Sequence, residues 1–297
     1  MPLPNASASG IETSSSSFAR NILRFTKIEH TAFSLPLVFA GAWIGTRGLM
    51  PPLTVLFLVM LAAVGARIFG MSFNRIFDRK IDALNPRTAG RELPGGRLKV
   101  STALIVAFSG LLIYLTACTA LGGWCLVLSP LPLIPLLGYS LLKRFTALCH
   151  YGIGLCLAMA PLGAFVAAAG HPNFTAEAVI FALFVFWWLS GSDIIYALMD
   201  LESDRQTGIH SLPARLGAVG ALKVAGMSHM IAFCCAASVY YLTDGGPIAA
   251  LCLVVTALSI GIMYLPMIPV STRFFPISII AGTAAALIPV FGRYLSH

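Results

Sequence analysis

The sequence predicts an all-α, polytopic membrane protein with about nine transmembrane helices. Hydrophobic residues make up 58% of the 297 positions and charged residues only 10%, against about 25% charged in soluble domains. Charged residues are also separated by long apolar gaps, such as the one between Lys99 and Lys143. Because a spanning helix needs about 20 apolar residues, this gap holds two helices, with a break at Gly122 and Gly123.

Dividing the chain at charges, Gly/Pro pairs and polar clusters gives nine predicted spans. Their approximate limits are 27–46, 53–76, 100–119, 123–142, 149–169, 177–199, 218–242, 247–268 and 274–294. Residues 1–22 are polar and Ser-rich, without the apolar stretch of a signal peptide. We therefore expect a disordered tail over 1–22 and a single transmembrane domain over 23–297.

Basic residues predict the orientation of the spans. They concentrate in the tail and in the loops after the second, fourth and sixth spans, whereas the alternate loops carry few. These loops and the tail should therefore be cytoplasmic. Since the net charge of +8 lies at helix ends, where topology requires it, we expect a lipid bilayer and no nucleic acid as partner.

Acidic residues form two clusters, which this orientation places at the same face. Asn74, Asp78 and Asp82 are four residues apart and so line one side of a helix. In the second cluster Asp200 and Asp204 form a stripe and Asp193 lies two turns deeper, with Tyr196 between, all expected on one face of another helix. Two carboxylate stripes at one depth can share Mg²⁺, which takes oxygen ligands and bridges to substrate phosphates.

Basic residues near these stripes could hold the remaining phosphate charge; they are Arg67, Arg75, Arg79, Lys143 and Arg144. Charges at helix ends can also be simple boundary charges, which is the favoured interpretation for Arg79. It fails for Arg67 and Asp193, which lie well inside predicted spans. A charge there costs roughly 2.5–3.5 kcal/mol and usually marks a functional cavity.

Three stretches carry a family resemblance. NRIFDRKID, followed by ALNPRT and RELPGGRL, resembles the first aspartate-rich motif of the UbiA family of intramembrane prenyltransferases. DIIYALMDLESDRQTGIHSLPARLG resembles the second motif, and YSLLKRFT, which starts at Tyr139, is similar to a Y-x-x-x-K element between them. The resemblance covers the chain after about residue 20.

The resemblance implies nine helices around a central cavity that opens sideways to lipid. It also implies that a polyprenyl diphosphate is condensed with an acceptor with the help of Mg²⁺. Asn74, Asp78 and Asp82 match the ligands of one magnesium ion. Asp200 and Asp204 match those of the other.

Further site residues are implied in the same way. Arg67 and Lys143 match diphosphate-binding residues, with Tyr139 and Arg144 beside the lysine. Lys27 falls where the family often has a basic residue near the acceptor. Asp193 and Tyr196 are expected to line the cavity, with their role open. A structural role is favoured for His150, although it could touch a carboxylated acceptor.

The expected activity is transfer of a polyprenyl group to an aromatic hydroxy-carboxylic acid. The acceptor would be of the 4-hydroxybenzoate type, or 1,4-dihydroxy-6-naphthoate, in ubiquinone or menaquinone biosynthesis at a bacterial-type inner membrane. KIEHTAFSLPL and RFTALCH resemble the branch that makes menaquinone through futalosine. Homogentisate, haem and chlorophyllide remain alternative acceptors.

Two other classes of membrane protein compete with this interpretation. A secondary transporter is disfavoured because the acids gather at one face and no inverted repeat is evident. A phosphatidyl-alcohol transferase is disfavoured because its D-G-x-x-A-R motif is absent from the sequence.

Overall fold

The computed structural model describes residues 20–27 and 31–292, without the side chains of residues 31–33. The predicted disordered tail lies outside the described residues up to position 19, and a helical segment occupies 20–26. Apart from an isolated bridge between Gly245 and Gly292, the regular structure in the described ranges is helical. The all-α prediction is confirmed.

Nine long helical segments within the described ranges follow the predicted order. They are α1 Thr31–Gly45, α2 Leu53–Leu84, α3 Val100–Leu121, α4 Gly123–Leu142, α5 Cys149–Ala169, α6 Ala176–Thr207, α7 Leu212–Leu242, α8 Pro247–Ile262 and α9 Val270–Val290. Seven of these are long and apolar enough to cross a membrane, whereas α1 and α8 are shorter apolar helices. The class of polytopic membrane protein is confirmed, and the number of nine crossings stays a prediction.

Helix α6 packs between α5 and α7, α1 contacts both α5 and α9, and α2 packs mainly against α3. Phe181, Phe184 and Trp188 of α6 are fully buried and stack on one another, with ring centroids 6.0 and 5.9 Å apart. Outward positions carry large apolar side chains instead, such as Phe57 and Ile105. This pattern of a packed centre and an apolar exterior suits a surrounding of lipid.

Small residues allow the helix backbones to approach closely, as is common in membrane helices. A Cβ atom added to Gly65 of α2 would lie 2.6 Å from the backbone nitrogen of Tyr114 in α3. One added to Gly41 of α1 would lie 2.2 Å from the carbonyl oxygen of Pro161 in α5. These contacts fix α1 and α2 against the helices that line the same cavity.

Several helices are interrupted, and one interruption corrects a sequence prediction. In α6, α-helix over Ala176–Tyr196 gives way to a 3₁₀ turn, Ala197–Asp200, before α-helix resumes at Leu201. The prediction of one regular helical face from Asp193 to Asp204 is therefore wrong. A 3₁₀ turn has three residues instead of 3.6, so it rotates Asp200 and Asp204 relative to Asp193.

Interruptions in α4 and α7 coincide with Pro and Gly residues. In α4 the helix breaks at Ser129, before Pro130, and the Ser129 carbonyl accepts a 2.9 Å hydrogen bond from the Tyr114 hydroxyl. In α7 the break is at Gly217, whose φ of 71° lies in the left-handed region that favours glycine. The helix resumes at residue 218, which is the predicted start of the seventh span.

Candidate active site

A cavity of about 960 Å³ lies between the helices and is lined mainly by apolar side chains. Six of the predicted site residues contribute to its wall: Lys27, Arg67, Asn74, Tyr139, Asp193 and Tyr196. Arg75 and Arg91 also line it. The polar groups are therefore a minority in an apolar chamber.

The first acidic stripe lies on one uninterrupted helix, because α2 continues past the predicted span to Leu84. Asp78 is buried, and its Oδ2 accepts hydrogen bonds from Asn74 Nδ2 at 3.1 Å and from Lys143 Nζ at 2.7 Å. Asn74 Nδ2 also donates to Ser140 Oγ of α4 at 3.0 Å. The Y-x-x-x-K element is thus brought against the first stripe.

Asp82, one turn further along α2, is paired with an arginine from the following segment. Arg91 Nη1 lies 2.8 Å from Asp82 Oδ1 and 2.9 Å from Oδ2. The Asp82 side chain is only 7% exposed. A hydrogen bond of 3.0 Å from Thr88 Oγ1 to the Asp82 carbonyl holds the chain as it leaves α2.

The second stripe is tied to the first by the LNPRT string. Asn85 Oδ1 accepts from the backbone N–H of Arg87 at 2.9 Å, which forms a turn, and Asn85 Nδ2 donates to Asp200 Oδ1 at 2.6 Å. Arg87 binds Asp200 through two nitrogens, with Nε 2.8 Å from Oδ1, and donates to the Tyr196 hydroxyl at 3.0 Å. The ends of α2 and α6 therefore meet at one end of the fold.

The Arg87 guanidinium stays charged in this setting. Burial lowers the pKa of Arg87. The hydrogen bonds to Asp200 and Tyr196 and the attraction of the carboxylate raise it by more than burial lowers it, so the net shift of the pKa is upward. Paired donors on a carboxylate are among the stronger protein hydrogen bonds. Arg87 is consequently a fixed positive charge beside the second stripe.

The remaining predicted residues are less closely engaged. Arg67 Nε donates to the Lys27 carbonyl at 3.3 Å. Arg144 is exposed, its Nη2 donates to the Phe77 carbonyl at 2.6 Å, and it is not part of the cavity wall. Asp204 is half-buried beyond the 3₁₀ turn. Within the described residues, no group of three or more Asp, Glu, His or Cys side chains is arranged to hold a metal ion.

The comparison with known proteins decides the family. The UbiA prenyltransferase family model matches residues 34–292, which is nearly all of the described chain. The chain belongs to the UbiA prenyltransferase family.

Two curated relatives of similar identity carry different names. A 4-hydroxybenzoate octaprenyltransferase of Psychromonas ingrahamii is 29% identical over 64% of this chain. A protoheme IX farnesyltransferase 1 of Pseudomonas fluorescens is 31% identical over 67% of it. The match spans 65% of the first relative and 66% of the second, just under two thirds of each.

Solved structures show the same UbiA fold. The apo structure of a UbiA homolog from Aeropyrum pernix K1 is 32% identical and superposes with a TM-score of 0.76, covering 88% of this chain and 96% of that one. A homolog from Archaeoglobus fulgidus bound to GPP and Mg²⁺ has a TM-score of 0.66 at 22% identity, over 90% and 99% of the two chains. At 22% identity, the similarity to the Archaeoglobus fulgidus homolog shows a shared fold only.

The residues of this UbiA chain fit a magnesium ion by donor chemistry. Asp78 Oδ1 is buried and has no hydrogen-bond partner among the residues described. Leaving a buried polar atom unpaired costs roughly 1–3 kcal/mol, more if it is charged, and a hard cation would satisfy it. The carboxylate and amide oxygens of the stripe are the ligand type that Mg²⁺ prefers.

Arg75 is a buried cation in the UbiA cavity wall. Arg75 is only 5% exposed. Neither its Nε nor its Nη1 has a hydrogen-bond partner in the described part of the chain. The basic ring proposed from the sequence included Arg75 without distinguishing it. Burial and unsatisfied donors now set it apart.

Sequence reasoning missed the roles of Asn85, Arg87 and Arg91. The Asn-Pro dipeptide at 85–86 is a turn signal, and it could have predicted that the chain folds back on the stripe. Nothing in the sequence indicated which carboxylate each arginine would meet. The close pairing of His150 with Asp193, at 2.7 Å, also had no sequence signal.

Proposed function

We propose that this chain transfers a polyprenyl group from a polyprenyl diphosphate to the ring of an aromatic hydroxy-carboxylic acid. The acceptor would be 4-hydroxybenzoate or 1,4-dihydroxy-6-naphthoate, and the product would enter respiratory quinone biosynthesis. The observation that carries the proposal is the meeting of two acidic stripes and several basic residues at one end of an apolar cavity of about 960 Å³. A diphosphate with an apolar tail has that distribution of polarity.

Magnesium is the metal that the residue types favour. Asn74, Asp78 and Asp82 would hold one ion, and Asp200 and Asp204 the other. Bound there, Mg²⁺ would neutralise the negative charge that develops on the departing diphosphate.

Basic residues supply the rest of the anion site. Arg67 and Arg75 line the cavity, and Lys143 lies 2.7 Å from Asp78. Donors fixed in a water-poor site stabilise a developing oxyanion far better than donors in water do. We assign Arg67, Arg75 and Lys143 to the diphosphate, with Tyr139 beside them, and give Arg144 no direct part because it bonds to the Phe77 carbonyl.

Apolar walls would do two things for the reaction. They would sheath the prenyl chain, and they would exclude water that could otherwise quench the allylic cation. Tyr196 lies close to Phe274 and Phe275, with ring centroids 4.4 and 5.8 Å apart, and all three line the cavity. Such faces attract a cation and can stack on an aromatic acceptor.

The placement of Lys27 at the cavity wall supports a role near the acceptor. The membrane we propose is a bacterial-type inner membrane, and the loop charges support placing the charged end of the cavity at its cytoplasmic face. The substrates would then enter from the cytoplasm and from the lipid. Sidedness belongs to the proposal and follows from the distribution of Lys and Arg.

A second candidate acceptor is protoheme. It is favoured by the relative named protoheme IX farnesyltransferase 1, whose identity of 31% is similar to that of the 4-hydroxybenzoate relative. Both activities would use the same diphosphate site. They would differ in the acceptor end of the cavity.

The test uses membranes that contain the chain, Mg²⁺ and a radiolabelled polyprenyl diphosphate. The acceptors 4-hydroxybenzoate, 1,4-dihydroxy-6-naphthoate and protoheme are offered separately. Labelled product from one of the first two, lost on addition of EDTA, is the expected result. If only protoheme gives a labelled product, protoheme is the acceptor and the proposed hydroxy-carboxylic acid is not. If none of the three acceptors gives a product, the proposal is overturned.

A further inference from the structure

The apolar chamber runs along most of α5. This helix begins at the charged end of the cavity, where His150 Nδ1 lies 2.7 Å from Asp193 Oδ2. The residues of α5 that line the cavity extend from Ile153 to Val166, and Phe174 in the loop after the helix also lines it. The chamber therefore extends from the charged end towards the opposite end of the helices.

Helix α2 gives the length of the chamber. Val59 and Arg75 both line it, and at 1.5 Å per residue the helix between them is about 24 Å long. Arg75 is 5% exposed, and its Nε and Nη1 have no hydrogen-bond partner in the described ranges. The charged end thus offers donors to an anionic head group, and a long apolar space leads away from it.

Gly163 lies in the middle of the α5 face that lines the chamber. Cys156, Met159 and Ala160 precede it by seven, four and three residues and so share its face of the helix. All four residues line the cavity, whereas Phe165, on the other side of α5, is buried. A Cβ atom added to Gly163 would meet nothing within 4 Å among the described residues. The space in front of this glycine is therefore part of the chamber.

The depth of Gly163 can be expressed in prenyl units. At 1.5 Å per residue, it lies about 15 Å along α5 from Ile153, the first residue of this helix in the cavity wall. Three backbone bonds of an extended peptide span at most about 3.6 Å, so the four main-chain bonds of one extended prenyl unit span roughly 5 Å. A chain that follows α5 from the charged end would pass Gly163 after about three units. Geranyl, with two units, would end before Gly163, and geranylgeranyl, with four, would extend past it.

We propose that the prenyl chain of the donor runs along α5 past Gly163, and that the missing side chain at this position leaves room for chains longer than geranyl. This inference rests on the proposed transferase function and names the residue that determines which donors it uses. The diphosphate lies at the charged end beside Arg75. The later prenyl units lie between Gly163 and Phe174.

A bulky side chain at position 163 should close the chamber at that depth. Leu or Phe there would fill the space that the fourth prenyl unit needs. Each buried methylene strengthens binding about fourfold, so a donor whose last units are expelled should lose affinity. A donor that ends before Gly163 should lose much less. A chain that instead leaves sideways into the lipid before Gly163 would be indifferent to the substitution.

The experiment measures binding of geranyl and geranylgeranyl thiodiphosphate to the purified protein in detergent with Mg²⁺. The wild type is compared with Gly163→Leu, Gly163→Phe and Gly261→Phe. Gly261 is exposed on α8, lies outside the cavity wall, and likewise has nothing within 4 Å of an added Cβ. It is therefore the matched control for a bulky side chain placed in open space, and melting curves check the folding of each variant.

The preference for the longer analogue is the quantity that decides. We expect the wild type to bind geranylgeranyl thiodiphosphate at least about tenfold more tightly than the geranyl analogue, because two further units are buried. Gly163→Phe should reduce this preference at least about tenfold and Gly163→Leu by less, since the size of the side chain sets the loss of buried apolar surface. Gly261→Phe should keep the wild-type preference. Turnover of the two diphosphates, with the acceptor that the wild type uses, should show the same shift in kcat/KM.

The outcomes separate the chain path from the activity. A wild type without preference for the longer chain, a folded Gly163→Phe that keeps the preference, or a Gly261→Phe that loses it equally would overturn the inference and leave the transferase function standing. If Gly163→Phe does not fold, Gly163→Leu decides by the same comparison. Failure of the wild-type chain to form product from either diphosphate would overturn both.

Discussion

Asp78 and Lys143, which are 65 positions apart in the sequence, are joined by a 2.7 Å ion pair at the end of the cavity. The Asp78 side chain is only 3% exposed. The pair therefore joins α2 to the end of α4 at the point where diphosphate is expected. We therefore expect both the stability of the fold and the proposed diphosphate site to depend on these two charges.

Removal of Lys143 alone should unfold the site more than removal of both charges. Lys143→Met leaves Asp78 buried without its cation, a change that costs about 3–5 kcal/mol for such pairs. We expect the melting temperature to fall sharply in Lys143→Met and to recover largely in Lys143→Met/Asp78→Asn, with activity absent from both. Thermal unfolding in detergent measures this, and an unaltered melting temperature in Lys143→Met would contradict it.

Arg75 is expected to lower the stability of the folded protein and to strengthen binding of the diphosphate. Its buried guanidinium has two nitrogens without partners in the described residues, so replacing it with an apolar side chain removes an uncompensated cost. Arg75→Met should therefore melt at a higher temperature than the wild type while its KM for the diphosphate rises about tenfold or more, as loss of a charge-assisted bond implies. A lower melting temperature with an unchanged KM would refute a diphosphate role.

Arg87 should tolerate no conservative replacement. Its guanidinium meets Asp200 through two nitrogens and Tyr196 through a third, and a lysine ammonium cannot reproduce that planar fork. We expect Arg87→Lys to lower kcat/KM for the diphosphate roughly tenfold. Lys99→Arg, at an exposed position on the same connecting segment, is the control, and equal kinetics in Arg87→Lys and wild type would show that the site does not depend on how Arg87 holds Asp200.

Close packing of α1 on α5 should be sensitive to one methyl group. A Cβ on Gly41 would meet the Pro161 carbonyl oxygen at 2.2 Å, whereas one on Gly261 of α8 meets nothing within 4 Å. We expect Gly41→Ala to destabilise the protein by about 1–3 kcal/mol, the usual cost of overpacking, and Gly261→Ala to leave it unaffected. Comparable melting curves for the two variants would show that α1 is free to shift.

The sequence was a good guide to the helices and to one stripe. Apolar runs and turn residues predicted the nine long helical segments in order, because membrane helices depend on local composition, but not the helical segment at 20–26. Asn74 and Asp78 share a face because α2 is regular to its end.

Tertiary contacts could not be read from the sequence in the same way. The basic partners of Asp78, Asp82 and Asp200 come from residues 65, 9 and 113 positions away, and only packing decides among many basic side chains. The 3₁₀ turn at Ala197–Asp200 likewise overrides the regular period that placed Asp193 and Asp204 on one face. His150 gave no sign of its bond to Asp193, since a lone histidine has no spacing to interpret.

The central claim is that the ends of α2 and α6 form one magnesium–diphosphate site. The most direct measurement is the binding of a non-hydrolysable prenyl thiodiphosphate to the purified protein, with and without Mg²⁺, in wild type, Asp78→Asn, Asp200→Asn and the double variant. The account predicts Mg²⁺-dependent binding, a loss of tenfold or more in each single variant, and a double variant little worse than either, because both residues serve one site. Binding that persists without Mg²⁺, or losses that add fully between the two stripes, would contradict it.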